Sequence, residues 1–122
     1  MIRKTTAAML LALAPLSALQ AQAMPVSQFL AKADTLQKKG AMALFSSDFR
    51  LLKREIQTSG KQLRAEQLAA TKAGRKPATC MPQKAAMNSS ELLAHFRSIP
   101  VGERNMPVKA ALAGLMRKKY PC

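Results

Sequence analysis

The stretch Cys80–Cys122, CMPQKAAMNSSELLAHFRSIPVGERNMPVKAALAGLMRKKYPC, lies between the only two cysteines of a 122-residue chain. Its apolar spacing is helical twice over. The run Asn88-Ser89-Ser90-Glu91 is a capping-box arrangement, in which the Asn88 side chain caps and Glu91 reaches back. It predicts a helix over 89–98 that stops before Pro100, with Leu92, Leu93, Phe96 and Ile99 as its buried stripe. PVGERNMP is the connector. A further helix follows over 108–119, with Val108, Ala111, Leu112, Leu115 and Met116 facing inward. A connector this short places the two helices antiparallel. Cys80, before the first, then meets Cys122, after the second, once Pro121 has ended the helix. A disulfide there would close a loop of about 43 residues, worth roughly 4 kcal/mol from chain entropy.

Upstream, the apolar spacing stays helical, with no period-two run. Tryptophan is absent, Tyr120 is the single tyrosine and β-branched residues are sparse, a composition suited to helices packed through Leu, Ala, Met and Phe. A helix is predicted over 28–39, capped by Ser27 and closed by Gly40, with Phe29, Ala33 and Leu36 on one face. GAMALFSS forms a turn. The longest helix then covers 48–73, capped by Ser46 or Ser47, with Gly60 as a point of bending or breakage. AGRKPAT makes the loop that follows, punctuated by Gly74 and Pro77. The expected fold is all-α: a small four-helix domain over 24–122 with a disulfide-clasped C-terminal hairpin.

Residues 1–23, MIRKTTAAMLLALAPLSALQAQA, read as a secretory signal peptide: Arg3 and Lys4, an apolar run, then the small-x-small Ala21-Gln22-Ala23. The run is short for a membrane span and Pro15 interrupts it. Cleavage is expected between Ala23 and Met24, delivering the domain to the periplasm or outside the cell. Position 24 is not cysteine, which argues against a lipoprotein anchor. In an exported chain an even cysteine count favours a disulfide. A metal or redox pair is disfavoured, because there is no C-x-x-C and His95 is the single histidine.

The Cys80–Cys122 segment also resembles the domain of type VI secretion immunity proteins of the Rap/Tai kind. The shared frame is C-x-P, an apolar helix, a proline-bearing connector, a second apolar helix with Ala-Leu, then P-C. Here the matching positions are Cys80, Pro82, Leu93, Phe96, Pro100, Ala111, Leu112, Pro121 and Cys122. Proteins of that kind are small, exported and helical, related in fold to HdeA-like periplasmic chaperones. They bind an amidase effector and block its active site, often as dimers. The resemblance thus implies a protein partner, namely a cell-wall-directed effector, and a homodimer. The N-terminal half departs from the family pattern: it has no second cysteine pair and carries a long basic helix.

The formal net charge is +14, or +12 without Arg3 and Lys4. Such an excess favours an acidic partner or surface. At 100° per residue, Phe49, Leu52, Ile56 and Leu63 share one stripe of the 48–73 helix. Arg50, Lys53, Arg54, Lys61, Arg64 and Lys72 occupy the sector beside it, and Asp48, Glu55 and Glu66 the opposite flank. The six cations form either a solvated face or a docking surface for something anionic, with anionic lipid, lipopolysaccharide and an acidic protein as candidates. Nucleic acid is disfavoured by the compartment and by the lack of stacking aromatics on the stripe.

His95 is expected at the core boundary, and the scattered methionines as core filling. No G-x-S-x-G nucleophile motif or Gly-rich phosphate loop occurs, and the acidic residues lack ligand spacing. No catalytic residue, metal or cofactor is therefore assigned. The leading expectation is a non-catalytic, immunity-like binding protein. The alternatives are an HdeA-like holdase or a basic envelope protein that binds anionic surfaces.

Overall fold

A computed structural model of the protein describes residues 23–122; the expected signal peptide and its Arg3 and Lys4 lie outside the described residues apart from Ala23. Four α-helices follow in order: α1 (Val26–Lys39), α2 (Ser47–Lys72), α3 (Ser89–Ser98) and α4 (Val108–Lys119). Short 3₁₀ turns cover Gly40–Phe45 and Val101–Glu103, and the described residues contain no strand.

The start of α1 differs from the sequence expectation. The helix begins at Val26, and Ser27 lies inside it with no capping role. Two of the amides that a helix start leaves open are taken by the connector before α4. Val26 N–H donates to the Met106 carbonyl (3.0 Å) and Ser27 N–H to that of Arg104 (2.9 Å). In return Val108 N–H donates to Met24 (2.9 Å), so the starts of α1 and α4 are laced together. A tertiary contact thus replaces a local cap. At the other end Gly40 adopts φ +59° and donates its N–H to Gln37, closing the helix as expected.

Ser46 caps α2 through its hydroxyl, which accepts from Phe49 N–H (3.1 Å). The helix continues through Gly60 without a break. It ends at Lys72, and Gly74 just beyond has a φ of +74° that suits a residue without a side chain. Asn88 caps α3, its carbonyl oxygen accepting from Glu91 N–H (2.8 Å). Only this half of the capping box forms, because the Glu91 carboxylate turns to Lys119 on α4 (2.9 Å). That hydrogen bond is the main reason the Lys119 pKa is raised.

The core sits where the four helices meet. Phe96, Val26 and Val108 are fully buried and Leu112 nearly so. The rings of Phe29 and Phe96 pack edge to face at 5.2 Å between centroids. All five expected inward residues of α4 are buried. On α3 only Leu92 and Phe96 are; Leu93 and Ile99 are half-buried. Four ion pairs run round this core and tie α1 to α2 (Lys32–Asp48), α1 to α3 (Asp34–Arg97), α2 to α4 (Glu66–Lys109) and α3 to α4 (Glu91–Lys119). As solvent-accessible pairs each contributes about 1 kcal/mol or less. They nonetheless commit four of the chain's six carboxylates to holding helices together.

The expected clasp is present. Cys80 and Cys122 are joined, with Cα atoms 5.1 Å apart, and Cys80 N–H donates to the Tyr120 carbonyl (3.0 Å). The segment between α2 and α3 lacks helix and is held from the side by Gln67. The Gln67 side-chain oxygen accepts from Met81 N–H (2.8 Å) and from the Thr79 hydroxyl (3.1 Å). Its amide nitrogen donates to the Met81 carbonyl (3.1 Å).

Candidate functional site

The helix α2 is the backbone of the candidate site, and its continuity lays out the cation stripe. From Arg50 to Lys72 it spans about 33 Å at 1.5 Å per residue. Leu52 and Leu63 face the core from the predicted apolar stripe, while Phe49 and Ile56 are half-buried. Those two turn into a recess of about 550 Å³ between α1, the Gly40–Phe45 turn, α2 and the start of α3. The recess walls are mostly apolar, with Phe29, Leu36, Leu52, Leu92 and Leu93 among them. Leu93 is half-buried because it packs at the edge of the core, where it also lines this recess.

The stripe's six cations stand in different surroundings. Arg50, Lys53, Arg54, Lys61 and Lys72 are exposed. Lys53 stands on the wall of the apolar recess. Arg50 and Arg54 border a shallow depression with Asp48, which is itself paired to Lys32. Lys61 and Arg64 line a second cleft of about 410 Å³, between α2, α4 and the loop before α3. Lys72 lies about 12 Å beyond Arg64 along the helix, away from the others. Arg64 is half-buried and donates from Nη2 to the Pro82 carbonyl, so part of its hydrogen-bonding capacity is structural.

The second cleft gains a cation that the helical wheel could not supply. Lys84, from the irregular loop, lines it with Lys61 and Arg64. Its floor is apolar, formed by Met81, Met87, Leu112 and Met116. No carboxylate lines either the recess or the cleft.

Beside the recess, the Gly40–Phe45 turn projects apolar side chains into solvent. Met42 is 69% exposed and Phe45 77% exposed. The turn forms part of the recess rim through Gly40, Ala43 and Leu44, and Met42 and Phe45 lie outside the lining. The turn leads directly into the first turns of α2, where Arg50, Lys53 and Arg54 stand exposed.

His95 sits at the α3–α4 junction, half-buried as expected. Its Nε2 lies 3.1 Å from the Ala111 carbonyl, to which an Nε2–H tautomer donates. Burial is the main cause that lowers its pKa, with the nearby Lys118 charge adding to it; the hydrogen bond to Ala111 opposes both. The methionines divide between core and surface: Met24, Met81 and Met116 are buried, whereas Met42 is not.

No helix among the described residues is long and apolar enough to cross a membrane. No family model matches the chain, and no curated protein or solved structure matches it.

Proposed function

We propose that the protein is an exported, non-catalytic binding protein. In its specific form it is immunity-like, covering a cell-wall-directed effector enzyme in the periplasm. The carrying observation is the exposure of Met42 and Phe45 in the turn that leads into α2, whose first turns carry exposed cations. Exposed aromatic, methionine and arginine side chains are the types enriched where protein partners dock. The commitment of four of six carboxylates to inter-helix ion pairs also supports a non-catalytic reading. The Rap/Tai-like frame of Cys80–Cys122 supplies the immunity-like version, and the signal-like residues 1–23 supply the compartment.

The test is to purify the tagged protein from its own host's envelope without reductant and identify what accompanies it. The expected result is one stoichiometric cell-wall hydrolase, whose release of peptidoglycan fragments falls as purified protein is added. A mixture of unrelated clients would instead establish a holdase and overturn the reading. Recovery of lipid alone, or of nothing, would also overturn it.

The five exposed cations of α2 favour a second reading, attachment to an anionic envelope surface. Such attachment weakens as salt rises, because exposed charges are screened beyond about 8 Å at physiological ionic strength. Binding to anionic vesicles that is indifferent to salt would exclude it.

A further inference from the structure

The apolar recess and the basic cleft adjoin along α2 as a two-part furrow, with Ile56 and Gln57 on the lining of both. Phe49 lies on the wall at the apolar end and Lys61 at the basic end, separated by about 18 Å of helix at 1.5 Å per residue. The basic part carries Lys61, Arg64 and Lys84 on its lining, with no carboxylate among its lining residues.

We propose that this furrow binds a single-chain anionic amphiphile of the lysophospholipid class. The acyl chain lies in the recess against Phe49, Leu52, Ile56 and Leu93, and the phosphate sits among Lys61, Arg64 and Lys84. Three considerations select this occupant. Charge complementarity is the first: every charged residue lining the headgroup end is a cation, and the chain end is mostly apolar. Size is the second. Recess and cleft, at about 550 and 410 Å³, each fall in the roughly 300–1,000 Å³ range of pockets that take small-molecule ligands. The third is the cleft floor, where Met81, Met87 and Met116 supply flexible, polarisable surface that adapts to an irregular guest. Arg64 retains further N–H donors for a phosphate after donating from Nη2 to Pro82.

The headgroup cleft with Lys61, Arg64 and Lys84 lies outside the Met42–Phe45 turn, so the lipid preference it carries and the partner reading fail separately. The experiment uses the mature, oxidised chain and calorimetry below the critical micelle concentration. The probes are myristoyl lysophosphatidylglycerol, myristoyl lysophosphatidylcholine and glycerol phosphate. The anionic lipid is expected to bind one per chain and about tenfold more tightly than the zwitterionic one, the scale of one to two exposed charge pairs. Glycerol phosphate alone is expected not to bind measurably. The Lys61→Glu/Lys84→Glu variant changes two exposed side chains and should erase the preference while leaving phosphatidylcholine-type binding intact. Met42→Glu/Phe45→Glu should leave the preference between the two lipids unchanged. Equal affinity for the two lipids, no binding of either, or an undiminished preference in the lysine variant would overturn the proposal. The comparison of the two lipids on the wild-type chain decides the matter even if a variant fails to fold.

Discussion

Replacing both Cys80 and Cys122 by serine opens the ring that joins the loop before α3 to the end of α4. The bond spans a sequence separation of 42 residues. Releasing a loop of about that length returns roughly 4 kcal/mol of conformational freedom to the unfolded chain at 25 °C. The native contacts around the clasp survive the substitution. Cys80 N–H keeps its bond to Tyr120, and Gln67 still holds Met81 and Thr79 from the α2 side. The helical circular dichroism of the folded variant should therefore match the parent, while its unfolding shifts. Domains of this size are stable by about 5–15 kcal/mol, so the variant remains folded but has lost a large share. With a urea slope near 2 kcal/mol per molar, the midpoint should fall by about 2 M. The slope itself should steepen slightly, because the unlinked denatured chain exposes more surface, so free energies and not midpoints are to be compared. A loss below about 1 kcal/mol would refute the view that the clasp stabilises by constraining the unfolded chain.

Gly60→Ala should stabilise the protein by about 1 kcal/mol and raise its Tm by several degrees, since a Cβ at Gly60 meets nothing within 4 Å and the site is helical; an unchanged Tm would refute this. Phe96→Ala should cost about 3–5 kcal/mol, because it empties a fully buried ring site packed against Phe29, and denaturant unfolding measures it. Gln67→Ala should cost about 1–3 kcal/mol, leaving Met81 N–H and the buried Thr79 hydroxyl without their acceptor, with faster amide exchange confined to the 79–81 segment. The lowered pKa of His95 makes stability depend on pH. Above the ordinary imidazole value of about 6.5 His95 is neutral in both states and stability is full. As pH falls below that value the unfolded chain takes up the proton first, so stability declines until the lower folded-state pKa is passed. His95→Gln should flatten that part of the profile, and an unaltered slope would contradict the assignment.

Much of this architecture was legible from residue spacing. The α4 stripe, the extent of α3 and the Cys80–Cys122 clasp all follow from helical periodicity, proline placement and the reach of an antiparallel hairpin. What escaped depends on partners distant in sequence. Ser27 is a plausible local cap, yet the connector carbonyls of Met106 and Arg104 take the role of satisfying the start of α1. Glu91 is well placed to complete a capping box, yet Lys119 on α4 draws it away. Gly60 is a weak point by propensity, but packing of α2 against α1 and α4 carries the helix through it. The candidate site divides along the same line. A helical wheel places Arg50, Lys53, Arg54, Lys61, Arg64 and Lys72 beside the apolar stripe. It cannot show Arg64 turning to Pro82, Lys84 joining the cleft from an irregular loop, or Leu93 lining the recess. Gln67 carried no signal in the sequence, since an isolated glutamine on a helix looks like any solvated polar residue.

The central claim is that the turn carrying Met42 and Phe45, with the first turns of α2, docks a protein partner. The most direct measurement is amide hydrogen exchange on the complex purified from the envelope, compared with the free protein. The account predicts slowed exchange over residues 40–54, and loss of the complex on Met42→Glu/Phe45→Glu with the helical content unchanged. Protection elsewhere, with that segment exchanging as in the free protein and the variant still bound, would contradict it.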